Sequence, residues 1–214
     1  MSENLSETFF ADLPPRHAAI LSTALGLFVS KGFFNTSIHD ITDQAGVSIG
    51  FVYNNFGDKE GIARALYQQL LDFMTQQINL IEDRCSDAES RCRGVAKLLF
   101  ELTESAPQVM DFIIHARHKE FLPNEPAICS STPFARMRDF VYQGVTSGEI
   151  RAMQPLSAAM IAYGGVIRMI CLRLDGVIEE PIHTYFEELW CNTWYALNPG
   201  ETDQNDSPSP IQAP

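Results

Sequence analysis

The stretch from Ser37 to Lys59, SIHDITDQAGVSIGFVYNNFGDK, leaves the backbone few choices. Ser37 and Asp40 have the spacing of a capping box, in which hydroxyl and carboxylate satisfy the free amides that open a helix. Ile38, Ile41 and Ala45 supply one apolar stripe, and Gly46 stops the helix after about two turns. Ser48 then stands where a cap is needed for a second short helix, IGFVYNNF. Gly57 ends that helix, and Asp58 caps a long one predicted from Lys59 to about Arg84. Two short helices joined through AGVS form a helix-turn-helix. Val47, Val52 and Phe56 hold the second helix on a small core. Tyr53, Asn54 and Asn55 are left facing out, neutral and rich in hydrogen-bonding groups, as contacts to phosphates and base edges require. The same geometry also serves proteins that never meet DNA.

The rest of the chain reads as helical throughout, an all-α protein of about nine helices. Leu21, Ala24, Leu25 and Phe28 recur at helical spacing after Pro14 and Pro15, with Gly32 as the stop. Leu66, Leu70, Phe73, Ile78 and Ile81 line the long fourth helix. A fifth is expected over residues 88–105, and a sixth from Pro107 to about Phe121. LPNEPAICSSTP is a loop, and a seventh helix ends at Gly148. PLSAAMIAYGGVIRMICLRLDG and PIHTYFEELWCNTWYAL close the domain. Four segments follow: a loose acidic arm (1–13), the DNA-binding head (14–57), a helical body (58–197) and a polar, proline-containing disordered tail (198–214).

Composition narrows the function. Of 214 residues 45% are hydrophobic, enough for a sizeable core. No uninterrupted apolar run approaches the ~18 residues of a membrane span. The opening MSENLSETFFADLPP lacks a basic region followed by an apolar one, so a cytoplasmic protein is expected, with no membrane partner. Five scattered cysteines without a CxxC pair suit a reducing compartment and small buried hydrophobes, with thiol sensing as the sharper alternative. The net charge of −12 opposes indiscriminate binding to nucleic acid but not a local, specific reader. No P-loop, HExxH or dinucleotide fingerprint occurs, so no enzyme is expected, and no cofactor.

Over residues 18–66 the chain resembles the tetracycline-repressor-like (TetR) transcriptional regulators. The resemblance rests on LFVSKGF, NTSIHDIT, AGVS, GFVYNNF and the DKE that opens the long helix. It implies a three-helix DNA-reading head, a ligand-binding body and a homodimer on a palindromic operator, released when a small-molecule effector binds the body. Carried over by position, it puts phosphate contacts at Thr36 and Ser37 and groove contacts at Ser48, Ile49, Gly50 and Phe51. Tyr53 and Asn54 meet phosphate or base edges, and Lys59 grips a phosphate. The chain departs from the family at Ile49, where many members have Lys, and at Phe51, where they have a small residue or Thr. Asn54 or Asn55 stands where they have His. Ile49 and Phe51 suit thymine methyls instead. The head is short of cations: between residues 14 and 60, Arg16, Lys31 and Lys59 face Asp40, Asp43, Asp58 and Glu60.

The body offers less. Phe100, Met110, Ile114, His118, Phe134, Met137 and Arg168 are candidates for a pocket taking a hydrophobic or amphipathic ligand. His115 and His118, at i and i+3 near Glu120, have no clear third ligand, so no metal site is expected. Arg168, between Ile167 and Met169, reads as buried and in need of an anion; a carboxylate of the same chain is favoured over a ligand. The small residues Ala158, Ala162 and Gly165 and the stripe of Tyr185, Phe186, Leu189, Trp190 and Trp194 are expected at the dimer interface, or else over the body's own core. A helical interaction protein that has lost DNA binding, and a redox- or metal-responsive regulator, are the alternatives.

Overall fold

The computed structural model describes residues 8–200. Their regular structure is all helical. The head is α1 (Pro15–Lys31), α2 (Ile38–Ala45) and α3 (Ile49–Phe56). The body follows as α4 (Lys59–Arg84), α5 (Ala88–Ser105), α6 (Pro107–His115), α7 (His118–Phe121), α8 (Thr132–Ser147), α9 (Pro155–Leu174) and α10 (Phe186–Leu197). Short 3-10 turns, Ile128–Ser130 and Ile182–Tyr185, lead into α8 and α10.

The caps form where the sequence places them. The Ser37 hydroxyl accepts from the Asp40 amide while the Asp40 carboxylate accepts from the Ser37 amide at 2.8 Å. The Ser37 hydroxyl, donating to the same carboxylate at 2.7 Å, and then the Ser37 amide hold the Asp40 carboxyl below its ordinary range. Ser48 caps α3 and Asp58 caps α4, and Gly46 takes the left-handed conformation that a helix C-terminus favours. α4 has 26 residues, a rod of about 39 Å. Its first turn lies so close to the end of α3 that a Cβ on Gly61 would stand 1.8 Å from the Phe56 carbonyl oxygen.

A single core runs from Phe9 to Leu197. α5 packs on α6, α8 and α9; α8 also packs on α4, and α9 on α10. α1 packs on α4 and α6 and so carries the head onto the body.

Two expectations are corrected. The described part of the arm is anchored: Phe9 and Phe10 are buried, Phe9 lies 4.4 Å from the Phe73 ring, and the Gln69 amide donates to the Phe9 carbonyl. Residues 1–7 lie outside the described residues, as does the expected tail beyond 200. The sixth helix does not reach Phe121. It stops at His115, where Ala116 turns extended (ψ 130°), and α7 restarts at His118, so the described residues hold ten α-helices. One helix, Pro155–Leu174, is long and apolar enough by length and composition to cross a membrane; here it is α9, packed on α5, α8 and α10.

Replacing Gly61 by Ala is expected to lower stability by about 3 kcal/mol, because a backbone carbonyl must move to admit the methyl group. Chemical denaturation checks this, and a loss under about 0.5 kcal/mol would contradict the close approach.

Candidate nucleic-acid interface and effector cavity

α3 presents a polar face. Ser48, Ile49, Gly50, Tyr53, Asn54 and Asn55 are exposed, while Val52 is fully buried and Val47 and Phe56 are half-buried against the head core. The Asn55 amide donates to the Phe51 carbonyl at 2.8 Å, whereas Asn54 makes no side-chain hydrogen bond within the described residues. Asn54 and Tyr53 are therefore free to meet an outside partner.

Three expected DNA contacts sit elsewhere. Thr36 is buried, and its hydroxyl donates to the Gly32 carbonyl at 2.9 Å, so it closes the α1–α2 turn. The Lys59 ammonium donates to the carbonyls of Phe33 and Thr36, both at 2.9 Å, and lies 4.2 Å from the centre of the Phe33 ring. It clamps the same turn from the start of α4. Phe51 turns inward rather than toward a thymine methyl: its ring is 5.3 Å from His17, with the Arg16 guanidinium 5.7 Å away. Ser37 stays exposed at the N-terminus of α2, but its hydroxyl is engaged with Asp40. With Lys59 clamped and Lys31 3.6 Å from Asp40, Arg16 is the head cation with no acidic partner among the described residues.

In the body, a cavity of about 410 Å³ opens between α6, α8 and α9. Four of the expected ligand residues, Ile114, Phe134, Met137 and Arg168, line it. Phe100, Met110 and His118 do not. Phe100 and Met110 are core, Phe100 lying 5.5 Å from Phe186. His118 is enclosed by Tyr67, Phe112 and Phe121, with ring centres 4.7 to 5.7 Å away, and its Nε2 has no hydrogen-bond partner among the described residues. The break at Ala116 turns it away from His115, whose Nδ1 lies 2.7 Å from Asp111. Among the described residues no group of three or more His, Cys, Asp or Glu could hold a metal.

Arg168 departs most from expectation: it is exposed, and no carboxylate of the described residues pairs with it. Cys129, Tyr163 and Cys171, passed over in the sequence, also line the cavity. Tyr163 contributes its ring, while its hydroxyl is buried beside Cys92. Burial raises the Tyr163 pKa well above its usual value and pushes the Cys92 thiol up to about 11. A thiol so protonated is a poor redox sensor.

A second cleft, about 280 Å³, lies at the junction of head and body, between Phe28 and Phe33 on one side and Phe112, His115 and Phe121 on the other. Phe33 stacks on Phe121 at 4.3 Å.

The expected dimer residues divide. Ala158, Ala162, Phe186 and Trp190 are buried in the chain's own core, and Trp194, half-buried, stacks on Trp190 at 6.2 Å. Gly165 and Tyr185 are exposed and Leu189 is half-buried; a Cβ on Gly165 would come within 3.2 Å of Leu189, so Gly165 serves the α9–α10 contact inside the chain. On α9 and α10 the large apolar residues left exposed are Leu156, Met160 and Tyr195, the last 86% exposed.

This head and body define a helix-turn-helix protein with a separate helical domain. Residues 20–66 match the family model for bacterial regulatory proteins of the tetR family. The chain is 25% identical over 181 residues, 81% of its length and 82% of the relative's, to the uncharacterized HTH-type transcriptional regulator YfiR of Bacillus subtilis. It is 29% identical over 89 residues to the HTH-type transcriptional repressor KstR2 of Mycobacterium tuberculosis, covering 42% of this chain and 44% of that one. In fold it is similar to the transcriptional regulator FadR of Bacillus subtilis, solved in complex with stearoyl-CoA: TM-score 0.69, 17% identity, 84% of this chain and 98% of that one. The head is thus related in sequence to the tetR-family regulators, and the whole chain is similar in fold to a solved transcriptional regulator.

Two outcomes follow. Burial holds the His118 pKa at about 4, against an ordinary 6.5, while a hydrogen bond to the Phe112 backbone acts weakly the other way. The unfolded chain then takes up the proton first as pH falls, so stability is full above pH 6.5 and is lost between 6.5 and 4, by up to about 3 kcal/mol. His118→Phe is expected to flatten that stretch of the stability–pH curve; an unchanged slope would contradict the assignment. The scarcity of free head cations predicts a shallow salt dependence of operator binding, a log–log slope of roughly −2 to −5 for two heads. A slope of about −8 or steeper, measured by titration at several salt concentrations, would count against it.

Proposed function

We propose that this regulator is a homodimeric repressor that binds a palindromic operator through α3 and leaves it when a small hydrophobic or amphipathic effector fills the α6–α8–α9 cavity. One observation carries the reading: α6 serves both ends. Ile114 lines the cavity, while the preceding Phe112 and the following His115 line the cleft against α1 and Phe33. A ligand that displaces α6 pushes on the turn to which Lys59 is clamped, and with it on α2 and α3. Core packing is dense enough to transmit such a shift rather than absorb it. KstR2, a repressor by name, and FadR, solved with stearoyl-CoA, support the repressor and amphipathic-effector parts of the reading.

The dimer is proposed through the outer faces of α9 and α10, where Leu156 and Tyr195 would otherwise stand bare in water. A helical interaction protein without DNA binding remains the second reading, favoured by the acidic head and the internal use of Lys59.

Selection of bound sequences from random DNA at low salt separates the two. The expected result is a palindrome, with Asn54→Ala weakening binding at least tenfold without loss of fold. Recovery of no sequence by a folded dimer, in buffer and in cell extract alike, would favour the second reading.

A further inference from the structure

We infer that the cavity takes an amphipathic anion: an apolar tail between α8 and α9, with an anionic head held by Arg168 and Arg138. The inference rests on the ligand-responsive reading above and specifies the ligand's chemistry.

The cavity wall is almost wholly apolar. Its two ionic residues are both arginines; no Asp, Glu or His contributes to it. Met137, Ala159 and Tyr163 are buried in the wall, whereas Arg168 is exposed and Arg138 half-exposed, so the charge lies toward solvent and the depth is greasy. Met137 and Met160 let such a wall adapt to different tails.

The arginines on these two helices behave in opposite ways according to where they lie. On α8, Arg136, which is not part of the wall, pairs with Glu82 at 2.9 Å. On α9, Arg173, also outside the wall, holds Glu104 through two hydrogen bonds of 3.0 and 3.1 Å. The two that line the cavity have no carboxylate among the described residues. Arg138 donates to the backbone carbonyl of Cys129, which leaves its charge uncompensated, and Arg168 makes no side-chain hydrogen bond among the described residues. In a chain of net charge −12, acids to pair them would not be scarce. A guanidinium beside apolar surface favours a carboxylate or phosphate, which it can hold with paired hydrogen bonds. The volume is within the range of small-molecule pockets. Because both guanidiniums are partly solvated, the tail supplies most of the affinity and the head mainly the selectivity.

Calorimetric titration of the full chain with n-alkanoates from octanoate to hexadecanoate, their coenzyme A thioesters and the matching n-alkanols tests this. Alkanoate affinity is expected to rise about fourfold per added methylene until the cavity is full. Each alkanoate or thioester is expected to bind about tenfold more tightly than the alkanol of equal length. The double variant Arg138→Ala, Arg168→Ala should erase that preference while keeping alkanol binding within about twofold, which certifies the fold. Binding of thioesters alone would assign the head to phosphate, and binding of free acids to carboxylate; either supports the inference. Alkanols binding as well as the anions, or a preference that survives the double variant, would overturn it. Failure of every compound to bind would overturn it too, and would leave the operator reading to the DNA selection, which uses no ligand.

Discussion

The Lys59 ammonium, held between the carbonyls of Phe33 and Thr36 and over the Phe33 ring, ties together the three parts of the molecule that must move as one. It belongs to the first turn of the long helix, it closes the turn between α1 and α2, and the ring beneath it stacks on Phe121 of the body. A lysine donating to two carbonyls of the α1–α2 turn is favourable on two counts: it satisfies acceptors outside the helical ladders, and it places a cation just beyond the C-terminus of α1. The arrangement also accounts for the electrostatic character of the head. With this cation committed to the turn, the proposed operator binding relies on neutral groups on α3 and on backbone amides at helix starts.

That clamp gives the body a handle on the head. α6 runs from the α6–α8–α9 cavity to the junction cleft, and the interruption at Ala116 makes it a short element with its own end, not part of a rigid longer rod. In the proposed mechanism, filling the cavity reaches the head through Phe112, His118, Phe121 and Phe33, whose ring centres lie 4.9, 5.7 and 4.3 Å apart in turn, and through the Lys59 ammonium 4.2 Å from the Phe33 ring. His118 sits at its centre, neutral and enclosed by three rings.

The local punctuation was legible in the sequence: Ser37 with Asp40, Ser48, Asp58, Gly46 and Gly57 act through neighbours three or four residues away, and each forms its expected cap. What depended on distant neighbours was not. Nothing in NTSIHD says that Thr36 turns inward, and nothing in DKE says that Lys59 reaches back across 26 residues to Phe33. The break at Ala116 carries no Pro or Gly to mark it. Arg168 looked buried because Ile167 and Met169 flank it, but helical neighbours one residue apart point in different directions. Trp190 and Phe186 looked like interface anchors because a wide apolar stripe reads the same whether it covers its own core or a partner. At the cavity, Ile114, Phe134, Met137 and Arg168 were legible as large apolar or charged residues on middle helices; Tyr163, Cys129 and Cys171 carried no signal that set them apart from core.

The central claim is that the head is held in place from the body through Phe33. Amide hydrogen exchange in Phe121→Ala tests it most directly, since the substitution lies in α7 and touches no residue of α2 or α3. The account predicts that protection falls in α2 and α3 while α8 and α9 exchange as before. Loss of protection confined to α6 and α7, with the head unchanged, would contradict it.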